Sequence, residues 1–274
     1  MNTKIKTLII LYLSCITALF LFQGGCSGSG GSGGLGSSSN SSGGGFGTNN
    51  VAPSNGQGGS TARFALSNNH LYIIQPQNLK VFDVSNPKDP NFISEKTVSN
   101  DVETIFPYKN SLFLGTQTGM LIYDITNPTD PTYISIYQHI YGCDPVVAQD
   151  NFAYITLRNG SHCRQGVNRL EIIDISDLRY PRSVTQYTTN LQSPHGLGIS
   201  DSTLIICDGT AGLKVLDVQN ERSPVEIATV EGIHTFDVIP VQKNAVVVGQ
   251  DGIYQYDFSN NKSLRLLSKI TIQR

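Results

Sequence analysis

The sequence predicts an all-β fold, a β-propeller of about five four-stranded blades following a signal peptide and a disordered Gly/Ser linker. Two observations carry this. The phrase "LKVFDVSNPKDP" (residues 79–90) returns almost unchanged as "MLIYDITNPTDP" (120–131) and, more loosely, three further times, its aspartates being Asp83, Asp124, Asp174, Asp217 and Asp257. Each interval, 41, 50, 43 and 40 residues, holds about four short β-rich runs and no helical periodicity, and four-stranded units at a period of about 40–45 residues are the mark of propeller blades.

The N-terminus is read separately. Lys4 and Lys6 precede a mostly apolar stretch over residues 8–22, the n-region and h-region of an export signal. It is short for a membrane span, which needs about 20 apolar residues. The stretch ends "LFQGGC", and Gly24 and Gly25 before Cys26 resemble a bacterial lipobox, whose cysteine is lipidated and becomes the mature N-terminus; Gln23 stands where that pattern usually has an aliphatic residue. The domains expected are thus a lipoprotein signal peptide (1–25), a lipidated Cys26 with a flexible linker (26–60) and the propeller (61–274).

Residues 27–60 hold 13 Gly and 10 Ser and no charge, so they cannot bury enough apolar surface to offset their ordering entropy. Such a segment is a tether, and acyl chains on Cys26, palmitate among them, supply the membrane anchor at about 0.8 kcal/mol per buried methylene. "GGSGG" within it matches a nucleophile-elbow pattern but has neither the strand before it nor the helix after it that the motif requires. Without residues 1–25 the chain carries 17 Lys and Arg against 21 Asp and Glu, with no basic cluster, which excludes a nucleic-acid partner.

Each phrase justifies one strand, one turn and the start of another strand. "LKVFD", "LIYD", "LEIID", "LKVLD" and "IYQYD" suit a largely buried strand. The aspartate, and the Asn or Asp three residues on, can accept hydrogen bonds from nearby backbone amides and so build a turn. A proline seven residues on (Pro90, Pro131, Pro181, Pro224; Leu264 in the last copy) ends it because it cannot donate to a ladder. Upstream lies a hairpin, as in "TIFPYKNSLFLG". These repeats resemble the LVIVD repeat of bacterial and archaeal cell-surface propellers, and the resemblance spans residues 61–274. It implies a blade scaffold and says little about activity. Five blades are expected to close a monomeric ring by face packing.

Candidate function lies where the copies differ. Taking Asn68, Lys109, Asp150, Asp201 and Lys243 as equivalent hairpin positions, the sixth residue upstream is Ala62, Glu103, Asp144, His195 and Asp237. That is a polar ring at the channel mouth, with His234 and Asp101 close by. Such a ring suits ligand contact; carboxylates with imidazole also suit a divalent metal, though no cofactor is predicted. Cys143 and Cys163 are expected to form a disulfide in an exported chain, pinning the insertion "NGSHCRQGVN", while Cys207 is a buried thiol. The expected role is a binding module in the cell envelope, lipid-anchored on the periplasmic side or at the cell surface, with a protein or glycan partner. The alternative is a hydrolase or lyase using the mouth carboxylates and histidine. No metalloprotease, P-loop or CxxC signature is present.

Overall fold

The computed structural model describes residues 58–139, 145–160, 167–260 and 264–272. Cys26, Cys143, Asp144 and Cys163 therefore lie outside the described residues, as does the proposed disulfide. Five four-stranded antiparallel sheets follow one another along the chain. The first blade is β1 (Phe64–Ser67), β2 (His70–Ile74), β3 (Asn78–Asp83) and β4 (Asn91–Thr97); the second is β5 (Val102–Tyr108), β6 (Ser111–Thr116), β7 (Gly119–Asp124) and β8 (Thr132–Gln138). The third is β9 (Val146–Gln149), β10 (Phe152–Leu157), β11 (Arg169–Asp174) and β12 (Arg182–Tyr187). The fourth is β13 (Leu197–Ser200), β14 (Thr203–Cys207), β15 (Leu213–Asp217) and β16 (Val225–Val230), and the fifth β17 (Thr235–Val241), β18 (Asn244–Gly249), β19 (Gly252–Asp257) and β20 (Arg265–Thr271).

The repeated phrase makes the same turn in every blade. Asp83, Asp124, Asp174, Asp217 and Asp257 each accept the amide two residues on, at 2.7–2.9 Å. The next polar residue repeats the device, since Asn86, Asn127, Asp177 and Asn220 accept from the amides of Lys88, Thr129, Arg179 and Arg222. The hydroxyls and amides of Ser85, Thr126 and Ser176 hold the Asp83, Asp124 and Asp174 carboxyls below their ordinary range, and those of Ser259, with Arg265, bring Asp257 to about 2. The third and fourth strands of each blade then share a bulge in which the extra residue is aliphatic: Ile93, Ile134, Val184, Ile227 and Leu267.

Alternation along the strands sends one set of side chains toward the preceding blade and the other toward the next. Inner strands pack in sequence, β1 on β5, β5 on β9, β9 on β13 and β13 on β17. Three buried clusters fill these four joints: one between the first two blades, one spanning the second to fourth, and one between the fourth and fifth.

The remaining joint, between the fifth blade and the first, is built differently. Tyr72, Phe113, Tyr154 and Ile205 occupy one register position facing the next blade and are all buried, whereas Val246, their counterpart in the fifth blade, is half-buried. Leu79, Met120, Leu170 and Leu213 are each 0% exposed, and their counterpart Ile253 is half-buried. On the other side of the joint, Leu71 and Ile73 are half-buried where Leu112, Leu114, Leu204 and Ile206 are fully buried. Face packing alone does not close this ring.

Residues 58–62 bridge the joint instead. The Ser60 hydroxyl donates to Asp237 Oδ1 (3.1 Å) and accepts from the Leu197 amide (2.8 Å). Thr61 donates to Asp237 Oδ2 from its hydroxyl (2.5 Å) and its amide (3.3 Å). Ala62 accepts the Ile105 amide of the second blade at 2.9 Å. The expected linker boundary at residue 60 is therefore too late: Gly59 and Ser60 are buried parts of the propeller. Glycine is required beside this carboxylate twice, because a Cβ on Gly59 or on Gly196 would lie 2.1 Å from an Asp237 oxygen.

Candidate functional site at the channel mouth

Where the inner strand begins and the second strand ends, each blade contributes two positions to one mouth of the channel. The hairpin registers define the first. Residues of left-handed φ at the hairpin turns are Asn68, Lys109, Asp150, Asp201 and Gln242, and the β17–β18 register pairs Val241 with Asn244. The fifth-blade equivalent is thus Gln242 rather than Lys243, and six residues upstream stands Phe236 rather than Asp237. The ladder agrees: Glu103 is the bulged residue between Val102 and Thr104, and Phe236 the bulged residue between Thr235 and Asp237. Among the described residues, the mouth ring is Ala62, Glu103, His195 and Phe236. Asp237 leaves it and serves the bridge just described.

The same registers place Pro76, Gln117, Arg158, Gly209 and Gln250 just beyond the ends of the second strands. This second ring was not recognised in the sequence, although its residues also vary between blades. It partners the first: Gln117 Nε2 donates to Glu103 Oε1 (3.1 Å), Arg158 Nη1 to His195 Nε2 (2.9 Å), and Gln250 Oε1 sits 2.8 Å from His234 Nδ1.

Of the sequence candidates, the structure brings His195 and His234 together, their ring centres 6.4 Å apart. Phe236 completes a triangle with them, 4.7 Å from His234 and 5.9 Å from His195. Glu103, on the second blade, pairs with Gln117. Among the described residues, no group of three or more His, Cys, Asp or Glu is placed to hold a metal ion.

The His195 ring is fixed by a relay that begins in the core. Asp208, fully buried, accepts the amides of Gln192 (3.0 Å) and Ser193 (2.6 Å). Burial raises its carboxyl pKa against those same bonds. The loop so held presents the Ser193 carbonyl to His195 Nδ1 at 2.6 Å. That carbonyl can only accept, so Nδ1 carries the proton and Nε2 is left to accept from Arg158. A neutral imidazole results. Burial first, then the Arg158 guanidinium and His234, push its pKa below the ordinary 6.5.

This has a pH consequence. A histidine neutral in the fold binds fewer protons than in the unfolded chain, so its contribution is complete above pH 6.5 and is lost as pH falls toward the depressed folded value. Melting temperature followed from pH 8 to pH 5 should fall more steeply for the wild type than for His195→Gln; parallel curves would show that His195 does not carry the acid limb.

Cys207, beneath the mouth, is fully buried as expected, and burial raises its thiol pKa far above the ordinary value. It is a packing residue and not a nucleophile.

Comparison with known proteins places the scaffold. The LVIVD repeat matches residues 58–97, 108–139 and 143–189. No curated protein matches the chain. Among solved structures, a functionally unknown protein from Desulfotomaculum acetoxidans shares 11% identity at a TM-score of 0.61, over 74% of this chain and 67% of that one. The periplasmic gluconolactonase PpgL of Pseudomonas aeruginosa shares 13% at 0.58, over 74% and 68%. AztD of Citrobacter koseri, in its apo form, shares 15% at 0.55, over 75% and 60%, so the chain spans less than two thirds of that protein's length. Identities this low speak to the fold alone. Repeat and architecture agree: the LVIVD repeat matches segments in the first three blades, and the fold is a five-bladed β-propeller.

Proposed function

We propose that this chain is an exported, lipid-anchored binding module of the cell envelope, working as a monomer and presenting its channel mouth to a glycan or protein partner. The observation that carries the reading is the contrast between blades whose turn aspartate repeats five times and a mouth whose two rings change from blade to blade. Uniform positions build the scaffold. The variable ones gather a guanidinium, two imidazoles and a phenyl ring on the third to fifth blades, with Glu103 and Gln117 on the second.

The N-terminal pattern supports the anchor: charged start, apolar stretch, lipobox-like "QGGC" and a long Gly/Ser tether that lets the domain stand clear of the membrane. One solved protein of this fold is a periplasmic gluconolactonase, which is compatible with the same address. A hydrolase or lyase centred on the mouth gains nothing from the geometry, because Asp237 is occupied by Ser60 and Thr61 and His195 is held between Ser193 and Arg158.

The reading is tested on the full chain in bacteria. Cys26→Ser should move the protein from the membrane to the soluble fraction without changing its melting temperature. Phe236→Ala should keep the protein at the membrane and abolish retention of purified envelope glycan or protein ligands. Retention unaffected by every mouth substitution would end the claim that the mouth is the contact surface.

A further inference from the structure

Within the binding reading above, on which this inference rests, we infer that the Arg158, His195, His234 and Phe236 cluster recognises a carboxylate-bearing saccharide, an acidic glycan of the uronic acid class.

The first argument is the state of Arg158. It extends from the end of β10 at the mouth, and its partner among the described residues is a neutral imidazole nitrogen, not a carboxylate. A guanidinium has five N–H donors in a planar fork suited to two carboxylate oxygens. One is spent on His195 Nε2, and that bond fixes the orientation of the fork. The supporting relay, Asp208 to the Gln192 and Ser193 amides, Ser193 carbonyl to His195, His195 to Arg158, belongs to two blades and starts from a fully buried acid. It makes the guanidinium a preorganised donor instead of a solvated, freely rotating side chain.

The second argument is the aromatic neighbour. Phe236 is the bulged residue of β17, and the bulge turns a side chain that would continue the strand alternation toward the mouth. It sits half-buried beside His234, 4.7 Å between ring centres, and 5.9 Å from His195. His234 is steadied by Gln250 at 2.8 Å. A partly exposed phenyl face next to imidazole and amide groups gives an apolar platform for the C–H face of a pyranose, with polar groups at its edge for hydroxyls.

The third argument is charge. His195 is neutral, so the cluster offers one fixed positive charge, on a chain that is net negative. That suits contact with a single sugar carboxylate and disfavours nucleic acid, whose binding needs many phosphate contacts.

The experiment is calorimetric titration of the whole protein at pH 7.5 with short oligogalacturonates, their methyl esters and neutral galactose oligomers. The acid form should bind about tenfold to a hundredfold more tightly than the ester, the range of a charged hydrogen-bonded contact. Arg158→Gln should bring acid binding down to the ester level, and Phe236→Ala should weaken acid and ester alike. The ester arm needs no variant, so a misfolded mutant cannot obscure the result. Equal binding of acid and ester, retention of the difference in Arg158→Gln, or no binding of any oligomer overturns the inference. If neutral glycans or a protein bind at the mouth without preference for carboxylate, this inference falls and the binding-module reading stands.

Discussion

Asp237→Ala is expected to lower the unfolding free energy by about 2–4 kcal/mol, since charged hydrogen bonds contribute roughly 1.5–3 kcal/mol each and a buried group left unpaired adds its own cost. At about 2–4 °C per kcal/mol for a domain of this size, the melting temperature should fall by roughly 5–15 °C. The reason is positional. Asp237 receives the Ser60 hydroxyl, two donors from Thr61 and the Val238 amide, and Ser60, itself 0% exposed, would lose its acceptor. Glu103→Ala, at the true ring position of the second blade, removes only a pairing with Gln117 and should cost less than about 1 kcal/mol, as partly exposed polar contacts do. Similar losses for both would mean that Asp237 is not the fastening of the ring. The burial of Asp237 also raises its pKa above 3.8 against its donors, so the fold binds its proton more readily than the unfolded chain does. That part of the balance is most favourable below pH 3.8 and is lost as pH rises through the elevated folded value.

Ile205→Ala and Val246→Ala form the second test, two truncations at one register position. Ile205 is fully buried between the fourth and fifth blades, and its loss should cost about 2–5 kcal/mol through transfer and cavity terms. Val246 faces the joint with the first blade and is half-buried; with solvent already at hand and little cavity to leave, its truncation should cost about 1 kcal/mol or less. Chemical denaturation of both variants reads the difference. A Val246→Ala loss equal to that of Ile205→Ala would mean that the fifth joint is as tightly packed as the other four.

The blade was legible in the sequence because its determinants are local. Asp83 and its counterparts bond an amide two residues away, so a pattern along the chain already contains the geometry. The site was half legible. His195 and His234 stood out as residues that fail to repeat, but Asp237 was drawn into the ring by a register error of one residue. In the fifth blade the left-handed turn residue is Gln242 and not its neighbour Lys243, and a six-residue count from Lys243 names Asp237 in place of Phe236. Arg158 was passed over because its role depends on contact between blades: 37 positions separate it from His195, and nothing in the period of the repeat brings these two side chains to mind as partners. The Phe236 and His234 platform was hidden for the same reason, since aromatic residues read along the chain are indistinguishable from core.

The sequence by itself determined the strand count, the turns and the order of the blades, all of which follow from hydrogen bonds and alternation over a few residues. Only the tertiary structure decided how the ring is fastened and what stands at its mouth. Those depend on residues 59–61 meeting Asp237 about 176 positions away, and on a buried aspartate in one loop setting the proton position of a histidine that orients an arginine from the neighbouring blade. Ring closure brings together residues that no local pattern links.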